Sequence, residues 1–222
     1  MPTPLIPQAF WFRVALPCRR VDAMPRPKGR LLDLPADCAL AGFDALEGRN
    51  PWAEVRAAWN PDGLALAVEV PQKLGPIATD PNRPEGEGLD GAEFWVDTRD
   101  TRDVHRATRF CHRFRATITS ARKGDDLAVD VTQAKIARAQ ADAPTAPRGL
   151  VRAAAERHRK GWRLEMWLPA AALHGFDPET NRRLGFNYLI HDPNRDTLPL
   201  TVGREFPIGE DPSLWATLEL VD

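Results

Sequence analysis

One stretch of sequence determines the predicted fold: Asp90-Gly-Ala-Glu-Phe-Trp-Val-Asp-Thr-Arg-Asp100, followed by His105-Arg-Ala-Thr-Arg-Phe-Cys-His-Arg-Phe-Arg-Ala-Thr-Ile118. In each half, apolar residues alternate with polar ones, as in a strand that turns successive side chains to opposite faces. We therefore predict two neighbouring strands joined by a short acidic turn. Their polar face carries an acidic and aromatic row beside a row of arginines: Glu93, Trp95, Asp97, Arg109, Arg113 and Arg115.

Short alternating segments separated by turn residues run through most of the chain. The stretch Asn60-Pro-Asp-Gly63 predicts a tight turn, because proline presets φ and glycine accepts a positive φ. A short helical turn is predicted at 169–173 and an exposed Ala/Pro-rich insertion at 137–149. The further predicted strands are residues 10–16, 53–59, 64–70, 127–136, 150–157, 162–168, 184–190 and 215–220.

These many short strands predict an all-β fold, an antiparallel β-sandwich of the immunoglobulin or jelly-roll kind. The sequence shows neither internal repeats nor a second core, so residues 1–222 are interpreted as a single domain. Within it, residues 1–49 are expected to supply a strand at 10–16 and a loop at 17–29 that pack onto the sandwich.

Composition excludes several functional classes. Of the 222 residues, 43% are hydrophobic, which is enough for a core, and the formal net charge is −1. This balance gives no electrostatic reason to expect nucleic acid or an anionic membrane as a partner. No apolar run approaches the length of about 20 residues that spans a bilayer, and no signal peptide is seen, so the default expectation is a soluble cytoplasmic protein. Secretion stays open if a leader is missing.

The cysteines are three in number and lack CxxC spacing: Cys18, Cys38 and Cys111. An odd number without that spacing argues against both a disulfide framework and a zinc site. A bond between Cys18 and Cys38 stays open.

The seven tryptophans, against one tyrosine, have two possible roles. Tryptophan fills sandwich cores and also stacks on sugars and cations. Trp95 lies between Glu93 and Asp97, so its ring could take the C–H face of a sugar while the carboxylates accept hydroxyl hydrogen bonds. The alternative is a tryptophan packed under a loop beside salt-bridged carboxylates. Trp167 is a candidate second stacking wall. Three others lie on inferred core faces: Trp59, Trp162 and Trp215.

Two further polar groups complete the candidate ligand site. Arg113 could clamp an acidic ligand, since guanidinium groups bind carboxylates in a bidentate way. Alternatively, it pairs across the strands with Glu93 and Asp97. Asn187 lies on the polar side of the strand at 184–190.

A metal site is a separate hypothesis, based on oxygen-rich turns. Asp100 and Asp103 follow the first central strand, and Asp192 lies in the loop 191–196. Hard cations such as Ca²⁺ prefer oxygen ligands, although the spacing is not that of an EF-hand. The alternative is turn chemistry, because Asp, Asn and Pro all initiate turns. Calcium is thus a possible cofactor, and no other is expected.

Several of these segments, in this order, resemble the family 9 carbohydrate-binding modules and their DOMON-like relatives. The similar segments are Trp59-Asn-Pro-Asp-Gly-Leu-Ala-Leu-Ala-Val68, Asp90-Gly-Ala-Glu-Phe-Trp-Val-Asp97, Gly161-Trp-Arg-Leu-Glu-Met-Trp-Leu-Pro169, Leu184-Gly-Phe-Asn-Tyr188 and Pro212-Ser-Leu-Trp-Ala-Thr-Leu-Glu-Leu220. The resemblance covers about residues 50–222 and implies a β-sandwich that binds sugars, in some members with bound calcium. The arginine-rich strand 106–115 and the insertion 137–149 depart from the family pattern.

The resulting functional prediction is non-catalytic binding of a sugar or related polyhydroxylated ligand on one sheet face. The predicted ligand-binding residues are Trp95, Glu93, Asp97, Arg113, Asn187 and Trp167. A protein-interaction module with a salt-bridged polar face is the alternative. A small glycoside hydrolase that uses the Glu93 and Asp97 carboxylates is a third hypothesis. No nucleophile elbow, phosphate loop or HExxH motif is present, and the protein is not expected to be an enzyme.

Overall fold

The computed structural model describes residues 14–43, 50–79, 88–121 and 124–222. Its strands are β1 (Ala15–Arg20), β2 (Glu54–Asn60), β3 (Gly63–Val70), β4 (Gly91–Asp97), β5 (Cys111–Ala121), β6 (Asp126–Ala134), β7 (Arg152–His158), β8 (Gly161–Pro169), β9 (Arg183–His191), β10 (Leu198–Pro199) and β11 (Ala216–Val221). Short 3-10 turns lie at Ala36–Cys38, Ala170–Ala172 and Pro212–Leu214, and these ranges contain no α-helix. Accordingly, the described part of the chain has no helix of the length and apolarity that a membrane span requires.

Ten of the eleven strands form a ring that is flattened into two layers, and β10 pairs with β9 outside that ring. Their order is β10-β9-β11-β1-β2-β3-β8-β7-β6-β5-β4, and β4 pairs back onto β9. The pairings of β1 with β2 and of β6 with β7 comprise only two residue pairs each, and we divide the layers there. The first layer is β2, β3, β8 and β7, and the second is β1, β11, β9, β4, β5 and β6. All pairings are antiparallel except those of β1 with β11 and β2. The predicted β-sandwich is confirmed.

The main core fills the space between the layers, and strand alternation places its residues there. Phe94, Phe114 and Phe186 are fully buried on the inward faces of β4, β5 and β9. Trp59 and Trp162 lie in the same core, as predicted. The Trp59 indole Nε1 donates to the Val221 carbonyl oxygen at 3.0 Å, which ties β2 to β11.

The structure corrects the predicted elements in two places. The predicted strand 10–16 falls mostly outside the described residues, and β1 continues through Arg20, where a loop was expected. Pro17 is tolerated because β1 pairs with β2 only at Arg19 and Arg20, so Pro17 has one neighbouring strand, as at a sheet edge. The second central strand begins at Cys111, and the connection before it, 98–110, is longer than a turn.

A second apolar cluster lies on the outer face of the second layer. It contains Trp95, Leu189, Ile208 and Trp215, all at most 5% exposed. Trp215 was expected in the main core. Its Nε1 instead donates to the Ile208 carbonyl oxygen at 2.7 Å. The segment 202–208 is thereby folded over the outer surface of the sheet.

Candidate functional site

A cavity of about 650 Å³ opens on the outer face of the second layer. Its floor is formed by outward side chains of β4, β5 and β9, and its walls by the segments 192–197 and 204–210. We call it the Glu93 cavity. Its volume is in the range of sites that hold small ligands.

Strand register brings the two polar rows together on this floor. Glu93 lies opposite Arg115, and Trp95 lies opposite Arg113, across β4 and β5. On the other side of β4, Trp95 lies opposite Asn187 of β9. The prediction that an acidic and aromatic row lies beside an arginine row is confirmed for Arg113 and Arg115. Arg109, which was expected in the same row, lies in the connection before β5.

Four basic groups converge on the Glu93 carboxylate, which is 2% exposed. Arg113 donates to Oε2 through Nε at 3.0 Å and Nη2 at 2.6 Å. Arg115 Nη2 donates to Oε1 at 3.1 Å. The same Oε1 lies 3.3 Å from His191 Nε2 and 3.6 Å from Arg204 Nη2. Glu93 therefore positions the basic side chains around it.

These contacts keep Glu93 ionised despite its burial. Desolvation alone would raise the pKa of this carboxyl. The neighbouring His191 and the charge and hydrogen bonds of Arg113 outweigh that effect, and they hold the pKa well below its usual range. A carboxylate offers about four lone-pair positions, and three hydrogen bonds from Arg113 and Arg115 occupy most of them here. Glu93 is thus a poor acceptor for a ligand hydroxyl.

Trp95 lines the cavity but is not exposed. The interpretation of Trp95 as a stacking platform required an exposed ring. Its side chain is 1% exposed, because the segment 202–208 covers it. The alternative, a tryptophan packed under a loop, describes its environment. The Arg113 guanidinium carbon lies 5.4 Å from the centroid of the Trp95 ring, so the ring supports that arginine.

Asn187 and Asp97 lie beside the cavity, outside its lining. Asn187 is fully buried, and its Oδ1 accepts from the Tyr188 amide at 2.9 Å. Asp97 is 1% exposed, and its two oxygens accept from the backbone amides of Arg99 at 2.9 Å and Thr101 at 2.7 Å. Burial raises the pKa of Asp97, while the amide hydrogen bonds oppose that rise. Asp97 therefore shapes the turn after β4.

Trp167 does not form a second wall of this cavity. It belongs to β8 in the other layer, where its outward face packs with Met24, Leu31, Leu32 and Leu34. The neighbouring Glu165 fixes the covering segment by accepting from the Leu32 and Asp33 amides at 3.0 Å each. A shared stacking site with Trp95 is therefore wrong.

The three predicted metal ligands do not come together. Asp100 accepts from Thr217 Oγ1 at 2.8 Å and pairs with Arg183 at 3.2 Å, near the start of β9. Asp103 is exposed in the 98–110 connection. Asp192 follows the end of β9, so a full strand separates it from Asp100. Within the described ranges, no group of three or more acidic, His or Cys side chains is arranged to hold a metal.

A lysine ammonium occupies the position where Asp192 could have held a cation. Lys73 Nζ hydrogen-bonds to Asp192 Oδ1, donates to Asn194 Oδ1 at 2.9 Å, and lies 3.5 Å from Asp90 Oδ1. The side chains of Lys73, Asp90 and Asp192 are at most 2% exposed. Burial raises the pKa of Asp90, although Lys73 opposes that rise. Lys73 supplies the charge that a bound metal would bring.

The lining residues that were not predicted to bind a ligand include His191, Arg204 and Phe206. His191 lies two positions beyond Leu189, so extending the alternation of β9 could have found it. Arg204 and Phe206 belong to a turn-rich segment without periodicity, and no local pattern marks them.

Comparison with known proteins identifies the fold. No protein-family model matches the sequence, and no curated protein matches it. A family 9 carbohydrate-binding module from Caldicellulosiruptor kristjanssonii, solved in complex with cellotriose, is similar with a TM-score of 0.54 and 14% identity, covering 76% of this chain and 74% of that one. A family 9 module from the same organism, in complex with glucose, has a TM-score of 0.53 and 15% identity, with 76% of each chain covered. The chain thus has the β-sandwich fold of these modules.

Proposed function

We propose that this domain is a non-catalytic module that binds a saccharide in the Glu93 cavity. The observation that carries the proposal is the set of guanidinium donors that Glu93 orients on the floor of this cavity. Arg113 and Arg115 are both held by the buried carboxylate, so their positions are set before a ligand arrives. Such preorganisation lowers the ordering cost of binding.

The cavity also offers an apolar surface for a sugar ring. Phe206 is half-buried in the wall, and Leu189 and Ile208 lie beside it. Sugars present both hydroxyl oxygens and apolar C–H faces, so a site with donors on one side and an aromatic ring on another suits them. The fold shared with modules solved with cellotriose and glucose supports the same ligand class.

The arrangement of carboxylates supports binding over hydrolysis. A glycosidase needs two carboxyl groups that flank one bond. The predicted pair was Glu93 and Asp97. Both Asp97 oxygens accept backbone amides, and Asp97 is not part of the cavity lining. Glu93 is held ionised by its basic neighbours and is unsuited to act as the general acid.

The test is a glycan array followed by isothermal titration calorimetry with the glycans that bind. Phe206→Ala should weaken binding by at least about tenfold, as truncation of a central aromatic contact does. Phe110→Ala is the matched control, because Phe110 is a half-buried phenylalanine outside the cavity lining that stacks on His174. This control should bind normally.

Failure of the wild-type domain to bind any glycan would refute the proposal. A salt-bridged face that recognises a protein partner would then be the better interpretation. Equal loss of affinity in both phenylalanine variants would also count against the cavity, since it would point to a general loss of structure.

A further inference from the structure

We infer that the saccharide in the Glu93 cavity is acidic, with a carboxylate or sulfate that pairs with Arg204 and Arg113. This inference rests on the proposed function and names the class of its ligand. It follows from the balance of donors, acceptors and charges in the cavity lining.

The floor of the cavity presents many more hydrogen-bond donors than acceptors. Both oxygens of Glu93 are already engaged by Arg113, Arg115 and the neighbouring bases. Guanidinium groups have five N–H donors and no acceptor. A ligand that matches this floor must therefore bring acceptors, and an anionic oxygen is the strongest acceptor for a guanidinium.

The described lining residues also carry a surplus of positive charge around Glu93. The other two carboxylates in the lining have cations of their own. Asp192 lies against buried Lys73, which it shares with Asp90, and 3.5 Å from Arg195. Glu210 lies 3.7 Å from Arg138. Of the described lining carboxylates, Glu93 is the one that lies against Arg113 and Arg204, and it also pairs with Arg115. Even with Arg115 set aside, two guanidinium groups share one carboxylate.

Arg204 is placed to meet a ligand. Its side chain is 61% exposed and reaches over the cavity from the wall, and its Nη2 is 3.6 Å from Glu93 Oε1. That separation is longer than a hydrogen bond, so the contact with Glu93 is weak. Arg113 is fixed on the floor and 22% exposed. An anionic group between them would receive charge-assisted hydrogen bonds from two directions.

The experiment compares acidic saccharides with neutral counterparts that have the same sugar backbone. Isothermal titration calorimetry is run with trigalacturonic acid against its methyl ester, and with sulfated cellotriose against cellotriose. We expect at least one acidic member to bind about tenfold or more tightly than its neutral partner, because charge-assisted bonds are roughly twice as strong as neutral ones. The first pair reports a carboxylate and the second a sulfate.

Two variants test whether Arg204 causes the preference for the acidic ligand. Arg204→Gln should reduce the ratio of acidic to neutral affinity to near one, and the exposed side chain contributes little to the fold. Arg148→Gln is the control, because Arg148 is exposed and outside the cavity lining. It should keep the wild-type ratio.

The outcomes separate the two proposals. Equal affinity within both pairs would overturn the acidic-ligand inference and leave saccharide binding in place. Absence of binding by all four compounds would overturn the acidic-ligand inference, whereas only failure on the whole glycan array would overturn saccharide binding. A preference that survives in Arg204→Gln would refute the role of Arg204.

Discussion

Two tryptophans provide a matched test of how the second cluster is built. Trp59 in the main core and Trp95 under the segment 202–208 are both 1% exposed. Large-to-small truncation of a buried aromatic costs about 3–5 kcal/mol. Burial alone would therefore give Trp59→Ala and Trp95→Ala similar losses of unfolding free energy.

Their indole N–H groups differ, and this difference sets the expected order. The Trp59 Nε1 donates to the Val221 carbonyl oxygen, so truncation also removes a hydrogen bond worth about 1 kcal/mol. The Trp95 Nε1 is buried and finds no acceptor among the described residues. Its removal relieves a penalty of about 1–3 kcal/mol. We expect losses of about 4–6 kcal/mol for Trp59→Ala and about 2 kcal/mol for Trp95→Ala.

The assay is urea unfolding followed by circular dichroism, with midpoints compared at equal slope. Trp95→Phe serves as the control, because it keeps a six-membered aromatic ring and removes the N–H together with two ring carbons. It should cost less than about 1.5 kcal/mol. A Trp95→Ala protein as stable as the wild type would show that the ring is not buried. A loss equal to that of Trp59→Ala would refute the role assigned to the unpaired N–H.

Three further predictions concern the buried charges. Lys73→Met should lower the free energy of unfolding by about 3–5 kcal/mol, measured by urea titration, because Asp90 and Asp192 lose their buried counter-charge. A chelator should leave the thermal melting curve unchanged, because Lys73 and Arg183 already neutralise the predicted metal ligands Asp192 and Asp100. The difference in unfolding free energy between wild type and Glu93→Gln should be constant above about pH 5 and shrink below about pH 4.3. The pKa of Glu93 is lowered in the folded state, so the contribution of this carboxylate to stability is lost on acidification.

Each of these predictions has a contradicting result. A Lys73→Met protein of wild-type stability would show that the two aspartates are not left uncompensated. A lower melting temperature in chelator would restore the metal hypothesis, since a ligand bound only to the native state stabilises it. A gap for Glu93→Gln that widens on acidification would reverse the assigned direction of the Glu93 pKa.

The faces of the central strands could be predicted from the sequence because alternation is a local property. Residues two apart lie on one side of a strand, so Glu93 and Trp95 share a face, as do Arg113 and Arg115. The turn at 60–63 and the hairpin of β7 with β8 were predictable for a similar reason, since turn residues and flanking alternation lie close together in sequence.

What covers those faces could not be predicted in this way. The burial of Trp95 depends on Ile208, which is more than one hundred residues away. The pairing of Lys73 with Asp192 spans 119 residues. Neither contact leaves a periodic signal, because the segments that make them are irregular loops. Alternation could therefore show that Trp95 and Phe94 lie on opposite faces, but not whether the Trp95 face was open to solvent.

The position of Glu93 links the fold to the choice of ligand. On an open strand face, this carboxylate would accept sugar hydroxyls, and a neutral sugar would be the natural partner. Buried under four basic groups, it instead orients Arg113 and Arg115 and leaves the surface of the cavity rich in donors. The proposed ligand class is saccharides, and the side chains favour an anion. An acidic saccharide satisfies both. Its ring can pack against Phe206, and its charged group can pair with the guanidinium groups, whose total charge exceeds that of Glu93.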